Sequence, residues 1–311
     1  MLRIIAPVLF LAFWASTACA EPLRVMTFNV MCGLCGPLEY GGWDDREAGL
    51  IDTMRRADPD LLVTQEMMAT GNLETVRRAL PALEAHYLDR GFAALDSVVF
   101  FNRERFAVIE KGAFWLSRSP DAALGLGWWA LSVPRSVAWV RLRDRRTGGE
   151  FYFAGTHVDA RRTNKQPSVE LIRQRLAARA DLPVILAGDF NFQPDTHFAR
   201  SITTASGPGP GFVDAFDLRP RLNVLSNRPT SAEFGCTESR AKRFPGCRID
   251  YVFLDGNTRW QVGDYTIDTY RYGWRNQFIS DHRAVWVDLD WEPVRTRAAS
   301  EALPDGAAGR D

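Results

Sequence analysis

The sequence predicts an α/β (α+β) fold in which two mixed β-sheets pack face to face and helices lie outside them. Many short apolar runs are rich in β-branched and aromatic residues, whereas few segments have helical periodicity. A doubly wound parallel sheet would need a helix at nearly every crossover, so this ratio of strands to helices disfavours it. With 311 residues, the chain is long enough to bury a large core within one domain.

The strand segments share a short length and a high content of Val, Ile, Phe and Tyr, and they recur along the whole chain. In order, they are residues 23–30, 60–66, 97–101, 106–116, 136–142, 150–157, 183–189, 248–254 and 283–290. We expect these segments to supply both sheets.

Three segments predict helices: residues 44–57, 72–83 and 167–180. The last is the clearest, because Val169, Ile172 and Leu176 form one apolar stripe. Pro167 followed by Ser168 is typical of a helix start, so the sequence predicts that this helix begins there.

The first twenty residues predict a secretory signal peptide. An early arginine precedes an apolar run that is too short to cross a bilayer, and Ala18-Cys19-Ala20 is typical of a cleavage site. A lipoprotein signal that retains Cys19 is the alternative. We therefore expect a signal peptide at 1–20, one domain at 21–291 and a disordered tail at 292–311, in a secreted or periplasmic protein.

Four cysteines remain after the predicted cleavage, and an even number in an oxidising compartment favours disulfides. They are Cys32, Cys35, Cys236 and Cys247. Three connectivities stay open, of which the two local pairs close the shortest loops. A zinc site and a redox role for the Cys32 to Cys35 segment are weaker alternatives.

The charge is balanced, with 38 basic and 38 acidic residues. A protein that binds long nucleic acid without sequence preference needs a basic surface, so the balanced charge disfavours this class of protein. The chain has no composition break or internal repeat that would mark a linker. We expect a monomer without a stable protein partner.

Polar residues recur where the predicted strands begin or end. They are Asn29, Glu66, His157, Asp189, Asn191, Asp250, Asp281 and His282. Each alone is compatible with a turn or a cap. In extended backbone, two residues that are two positions apart lie on one face, so Asp189 and Asn191 would share a site. If the strand ends converge on one edge of the sandwich, all these side chains form one cluster.

The residue types in this cluster suit hydrolysis at phosphorus. Carboxylates such as Glu66 and Asp281, with Asn29 nearby, are the hard ligands that Mg²⁺, Mn²⁺ or Ca²⁺ prefer. A histidine can take a proton from water near neutral pH, and a carboxylate such as Asp250 can fix its tautomer. Side-chain donors such as those of His157 and Asn191 can stabilise the equatorial oxygens.

Six motifs in this order, "TFNV", "QE", "GTH", "GDFN", "RIDYVF" and "SDH", resemble the endonuclease/exonuclease/phosphatase superfamily of metal-dependent phosphoesterases. This superfamily includes the pancreatic-type deoxyribonuclease, bacterial sphingomyelinases and inositol polyphosphate 5-phosphatases. The resemblance covers about Leu23 to Leu289. It implies a four-layer α/β/β/α sandwich of two packed mixed β-sheets flanked by helices.

The resemblance also implies nine site residues. They are Asn29, Glu66 and Asp281 at the metal; His157, Asp189, Asn191, Asp250 and His282 in catalysis; and Arg135 at the substrate phosphate. His282 would be the general base and Asp250 its orienting group. His157 would contact the phosphate or the leaving group, while Asp189 and Asn191 would position the attacking water.

The substrate is not fixed by the fold. A secreted nuclease or phosphodiesterase is the first expectation, and a lipid or small-molecule phosphatase is the second. A binding protein that has lost catalysis is the alternative from another class. It is disfavoured because a binding role does not require Glu66, Asp189, Asp250 and His282 together.

Overall fold

The computed structural model describes residues 22–33, 40–90, 94–125, 127–128, 132–179, 181–204, 211–220, 248–273 and 277–291. The predicted signal peptide and tail lie outside these ranges, and those predictions stay predictions. The predicted disulfides are also untested, because Cys32 is the one mature cysteine in the described part of the chain.

Twelve strands and five helices follow one another along the described residues. The strands are β1 (Leu23–Asn29), β2 (Leu61–Gln65), β3 (Leu83–Tyr87), β4 (Ser97–Asn102), β5 (Phe106–Trp115), β6 (Ser136–Asp144), β7 (Glu150–His157), β8 (Val184–Asp189), β9 (Phe212–Asp214), β10 (Asp250–Asp255), β11 (Trp260–Ile267) and β12 (Val285–Trp291). The helices are α1 (Trp43–Ala57), α2 (Thr70–Ala79), α3 (Arg162–Ala177), α4 (His197–Thr203) and α5 (Ala215–Leu218). A 3₁₀ turn, Ala94–Asp96, leads into β4.

The strands form two mixed sheets of six strands each. The first has the order β11-β12-β1-β2-β4-β3, and the second has the order β5-β6-β7-β8-β10-β9. Each sheet has one parallel pair, β1 with β2 and β7 with β8, and a long helix, α1 or α3, connects its strands. Parallel neighbours need such a crossover, whereas antiparallel neighbours do not. The predicted fold class is therefore confirmed.

The core has three layers of contact, as a four-layer sandwich requires. Between the sheets, Val25 and Val63 of the first sheet belong to one buried cluster with Phe153 and Ile185 of the second. A second cluster joins α1 and α2 to the first sheet, and a third joins α3 and α4 to the second sheet. Because several strands are covered on both faces, parts of them, such as residues 184–187 and 251–254, are apolar at consecutive positions.

Helix α3 differs from its predicted start. It begins at Arg162, and Pro167 lies inside the helix. Proline at this position removes one backbone hydrogen bond, yet its fixed φ still suits a helix. The carboxylate of Asp159 supports the early start, since it accepts hydrogen bonds from Arg161 N and from Asn164 Nδ2, at 2.9 Å and 2.7 Å.

The sequence analysis also missed three strands, and it predicted a C-terminal end for one helix that lies too far along the chain. Helix α2 ends at Ala79, because Leu80 precedes Pro81 and the residue before a proline disfavours helical backbone. Strand β3 begins at Leu83, two residues after Pro81. Strand β9 has only 3 residues, and β11 is an edge strand with many exposed positions, so neither has a strong apolar pattern.

Within the described residues, no helix has both the length and the apolar character that a membrane span needs.

Candidate active site

The candidate site lies along one edge of the sandwich, where strand ends from both sheets meet. In the first sheet, Asn29 at the end of β1 pairs with Gln65 at the end of β2. In the second sheet, Asp189 at the end of β8 pairs with His157 and, on its other side, with Asp250. The amide nitrogen of Asn29 donates across the two sheets to Asp189 Oδ2 at 3.1 Å. The predicted convergence of strand ends is therefore present.

Asp189 lies at the centre of this edge and is fully buried. Besides Asn29, its Oδ2 lies 3.3 Å from His157 Nε2 and 3.7 Å from His282 Nε2. Its Oδ1 accepts the backbone N–H of Asn191 at 2.8 Å. One carboxylate therefore connects both histidines with the first sheet.

His282 is oriented by Asp250. Its Nδ1 lies 3.0 Å from Asp250 Oδ2 and 3.2 Å from Oδ1, and both side chains are buried. Burial opposes a charged imidazole, but the carboxylates of Asp250 and Asp189 outweigh it and raise the pKa of His282 well above its usual value. Ser280 Oγ accepts the backbone N–H of His282 at 3.1 Å, which fixes the start of this segment.

Ligand atoms of Asp189, Asp250 and His282 lie within 4.8 Å of one another, so this group could hold a metal ion. His282 Nδ1, however, is already hydrogen-bonded to Asp250, and His282 Nε2 lies 3.7 Å from Asp189 Oδ2. The arrangement suits proton transfer better than ligation.

His157 lies between two carboxylates. Its Nδ1 is 3.1 Å from Asp96 Oδ1, and its Nε2 faces Asp189 and the Asn191 amide. Burial and the Arg135 charge disfavour the imidazolium, but Asp96 and Asp189 outweigh them and raise the pKa of His157. Arg135 donates to Asp96 Oδ1, and its Nη1 lies 2.7 Å from His157 Nδ1.

Asp96 is a site residue that the sequence analysis did not identify. Burial alone would raise its pKa, but the charges of Arg135 and His157 lower the pKa of Asp96 to about 2. A signal was available. Asp96 directly precedes β4, which is antiparallel to β2, so the start of β4 lies at the same edge as the end of β2.

Glu66 follows β2 with a φ of 61°, a left-handed conformation that is strained for this residue. Its Oε1 accepts the Asn29 amide at 3.2 Å, and its Oε2 accepts Cys32 N at 3.0 Å. Asn29 Oδ1 accepts Met31 N at 2.9 Å, so the nitrogen of Asn29 faces Glu66. In this arrangement Asn29 orients the carboxylate, and direct ligation of a metal by Asn29 stays a prediction.

Asp281 is connected to Asn29 through the hydroxyl of Ser280. Ser280 Oγ lies 2.8 Å from Asn29 O and 3.3 Å from Asp281 Oδ1. Glu66 is partly exposed, and Asp281 is 7 % exposed. These two carboxylates supply hard oxygens, and the donor set fits Mg²⁺, Mn²⁺ or Ca²⁺ better than zinc.

Lys165 of α3 is a second residue that the sequence analysis did not identify. Its Nζ donates to the backbone oxygen of Asn191, and its side chain is half-buried. Asn191 itself has a left-handed φ of 53°, and its Nδ2 donates to Val158 O at 2.9 Å. Asn191 therefore reaches the site through a tight turn rather than through the extended backbone that the sequence predicts.

All nine predicted site residues lie at this edge. Asn29, Glu66, His157, Asp189, Asn191, Asp250 and His282 are connected by direct side-chain contacts. Arg135 joins through His157, and Asp281 joins through Ser280. Two packed sheets with a carboxylate and histidine cluster at one edge match the arrangement that the sequence predicts for a hydrolase of phosphoester bonds.

The chain belongs to the Endonuclease/Exonuclease/phosphatase family, whose sequence model matches residues 26–282. Members of this family hydrolyse phosphoesters and generally depend on divalent metal ions. A mannosyl-6-phosphatase of Bacteroides thetaiotaomicron has a similar structure, with a TM-score of 0.72 and 25% identity over 86% of this chain and 99% of that one.

Two further proteins are similar at lower identity. Mouse Nocturnin is 21% identical over 87% of this chain, and this chain spans 31% to 66% of the length of the Nocturnin proteins that it matches. Danio rerio TDP2, in a complex with single-strand DNA product, has a TM-score of 0.62 and 17% identity over 86% of this chain and 98% of that one. This last similarity shows the fold alone.

Proposed function

We propose that this protein hydrolyses a phosphoester by the attack of a water molecule that gives its proton to His282. The pairing of His282 with Asp250 is the observation that carries this proposal. Since Nδ1 is bound to Asp250, Nε2 is the nitrogen that can accept a proton. Nε2 is 3.7 Å from Asp189 Oδ2, so one water at about 2.8 Å from each atom would contact both.

The reaction would form a bond from the water oxygen to phosphorus and break the bond from phosphorus to the ester oxygen. Asp189 and His282 would orient the water, and the water proton would move to His282 Nε2. His157 lies on the other side of Asp189, and the carboxylates of Asp96 and Asp189 raise its pKa, which favours its protonated form. With the Asn191 amide, it supplies donors for the phosphate oxygens or the leaving oxygen.

Glu66 and Asp281 would hold a divalent metal ion, with Asn29 and Cys32 N orienting the Glu66 carboxylate. A bound ion supplies positive charge that stabilises the phosphate and leaving-group oxygens. The protein contributes two carboxylates, of which Glu66 is partly exposed and Asp281 is 7 % exposed.

A small phosphorylated molecule such as a sugar phosphate is the substrate class that we favour. The similarity to a mannosyl-6-phosphatase extends over 99% of that chain, and this supports a substrate that a single domain can bind. The balance of 38 basic and 38 acidic residues supports the same choice over long nucleic acid. A nuclease or phosphodiesterase, the first expectation from the sequence, is the second candidate.

We also propose that the protein is exported, with cleavage after Ala20, and acts as a monomer. The apolar segment at 1–20 and the even number of remaining cysteines support export. A disulfide at Cys32 would be consistent with an oxidising compartment. N-terminal sequencing of the purified exported protein checks the cleavage site, and a mass map without reduction checks the disulfides.

A substrate panel tests the reaction and the substrate class. The panel contains mannose 6-phosphate, inositol phosphates, sphingomyelin, bis(p-nitrophenyl) phosphate, plasmid DNA and RNA, each with Mg²⁺ or Mn²⁺ and with EDTA. We expect release of inorganic phosphate from the sugar phosphate, which stops in EDTA and in His282→Ala. Cleavage of DNA or RNA in preference to the sugar phosphate would support the second candidate. Turnover that survives both EDTA and His282→Ala would refute the mechanism.

A further inference from the structure

Arg46 on α1 is only 1 % exposed and lies near Glu66 and Asp281, the two proposed metal ligands. Its guanidinium donates to four backbone carbonyls: Val30 O at 2.6 Å, Met31 O at 2.7 Å, Ile279 O at 3.1 Å and Gly42 O at 3.2 Å. A buried guanidinium is costly unless its N–H groups are bonded, and these bonds satisfy it.

Three of the four carbonyls that Arg46 binds belong to two segments that carry site residues, and the fourth, Gly42 O, directly precedes its own helix α1. Val30 and Met31 continue from Asn29, and the next residue, Cys32, donates its N–H to Glu66. Ile279 directly precedes Ser280, whose hydroxyl contacts Asn29 O and Asp281 Oδ1. These segments are about 250 residues apart in sequence, and one planar group holds them together.

The charge of Arg46 also acts on the two acids. Burial lowers the pKa of Arg46, and the carboxylates of Asp281 and Glu66 oppose that shift. These carboxylates are therefore near enough to Arg46 to interact with its charge.

We propose that Arg46 is a positioning residue for the divalent metal site, because it fixes two segments relative to each other. One segment follows Asn29 and binds Glu66, and the other carries Asp281. This inference rests on the proposed function, since it requires a metal ion at Glu66 and Asp281. Arg46 contacts neither the ion nor the substrate in this scheme. It acts through the two segments that it binds.

A positioning role and a purely electrostatic role of Arg46 predict opposite changes in metal affinity when Arg46 is removed. A positive charge near a cation site weakens cation binding, so the loss of the charge alone would tighten binding. The loss of the positioning contacts would weaken binding instead. Partners that orient metal ligands typically contribute about 10-fold to 100-fold in metal affinity.

Arg105 provides a matched control. It is a second buried arginine, which donates to Asp144 Oδ2, to Asp60 Oδ2 and to Pro22 O. Pro22 precedes β1, whereas Asn29 ends it, so Arg105 lies at the opposite edge of the first sheet. Its removal should destabilise the fold without changing the metal site.

The test measures Mn²⁺ binding by the EPR signal of the free ion, on the full mature chain without substrate. The proteins are the wild type, Arg46→Met, Arg46→Lys, Arg105→Met and Glu66→Gln, and thermal unfolding is recorded for each. We expect Arg46→Met to bind Mn²⁺ at least about tenfold more weakly and Arg105→Met to stay within about twofold of the wild type. The Mn²⁺ affinity of Arg46→Lys should lie between those of Arg46→Met and Arg105→Met, because the lysine ammonium retains the charge but lacks the planar guanidinium group.

Binding by Arg46→Met that equals or exceeds that of the wild type would overturn the proposal. Equal weakening in Arg105→Met would also overturn it, since general destabilisation would then be the cause. If Arg46→Met does not fold, Arg46→Lys decides, and unchanged affinity in this variant overturns the proposal. A wild type that binds no Mn²⁺, or that binds it equally well as Glu66→Gln, would instead show that the proposed metal site is wrong.

Discussion

His282 Nδ1 lies within 3.2 Å of both carboxylate oxygens of Asp250, and the two side chains are buried at 6 % and 1 % exposure. The contact joins the start of β10 in one sheet to the segment before β12 in the other. It places the Nδ1 proton on the Asp250 side, so that the lone pair of the neutral imidazole is on Nε2. The packing of the sheets therefore orients the group that we propose as the base.

Replacement of His282 by alanine should lower kcat by about 10² to 10⁴, because general-base catalysis contributes this much. Asp250→Asn should lower kcat by a smaller factor, since the base is retained but less well oriented. The initial rate of phosphate release measures both effects. His197→Ala is the control, because His197 is exposed on α4, and it should stay within twofold of the wild type. A kcat for His282→Ala close to that of the wild type would exclude His282 as the base.

The pH dependence should reflect the same pair. Burial lowers the pKa of His282, but Asp250 and Asp189 outweigh burial and raise it well above its usual value. The rate should therefore increase as pH rises through this pKa. Asp250→Asn removes a charge that raises the pKa, so its rate should begin to increase at a lower pH. An unchanged pH profile in Asp250→Asn would contradict this assignment.

Asp96 should stabilise the fold in a pH-dependent manner. Its carboxyl has a pKa of about 2 in the folded protein against an ordinary value of 3.8, because Arg135 and His157 outweigh the effect of burial. A lowered folded pKa gives stability that is present above about pH 4 and is lost as pH falls towards 2. The shift corresponds to about 2 kcal/mol.

Urea unfolding of the wild type and Asp96→Asn between pH 7 and pH 2 measures this contribution. We expect the difference in free energy of unfolding to shrink as pH falls from about 4 towards 2, because the Asp96 carboxylate becomes protonated there. Asp121→Asn, at an exposed aspartate, is the control and should show a much smaller difference. A difference for Asp96→Asn that does not change with pH would show that its charge is not the cause.

The fold was largely predictable because the strands that form the two sheets are covered on both faces. The segments 183–189 and 248–254 contain continuous apolar runs at 184–187 and 251–254, and burial of both faces is the physical cause of that pattern. Strand β11 was missed because it lies at a sheet edge with exposed positions, and a register shift between Val262 and Tyr265 interrupts its period. Edge strands need less apolar sequence and give a weaker signal.

The candidate site was predictable where a side chain follows directly from a strand end. Asp189 and His157 are of this kind, since a strand pairing alone brings them together. Asp96 and Arg46 were missed for a different reason. Asp96 directly precedes β4, but its role depends on a contact with His157, which is distant in sequence. Arg46 lies within a helix, and its contact with Ile279 leaves no local sequence pattern.

Glu66→Gln should raise the Mg²⁺ concentration that is needed for half-maximal activity by about tenfold or more, because a neutral amide is a much weaker ligand than a carboxylate. The fold should be little affected, since the amide can keep one of the two hydrogen bonds that Glu66 accepts from Asn29 and Cys32. A Mg²⁺ titration of the rate measures the change. Glu74→Gln, at an exposed site on α2, should leave the titration unchanged. Equal Mg²⁺ requirements for Glu66→Gln and the wild type would place the metal elsewhere.

Gly188 should be essential to both the fold and the site, because it directly precedes Asp189 and has a φ of 152°. A Cβ at this position would lie 2.1 Å from the backbone oxygen of Thr156 in the neighbouring strand, which cannot move without disrupting the sheet. Gly188→Ala should therefore cost about 3 kcal/mol or more in free energy of unfolding and should also reduce activity by displacing Asp189. Gly148→Ala is the matched control, since Gly148 has a φ of 73° but open space around its Cβ position.

Backbone strain alone should make Gly148→Ala cost only about 1 kcal/mol, with activity unchanged. Urea unfolding and the rate of phosphate release, measured on both variants, separate strain from steric clash. Strain acts at both glycines, whereas the clash and the displacement of Asp189 act only at Gly188. Equal costs for the two substitutions would mean that β7 and β8 can separate at Thr156 without loss of stability. Full activity in Gly188→Ala would mean that the position of Asp189 does not depend on this contact.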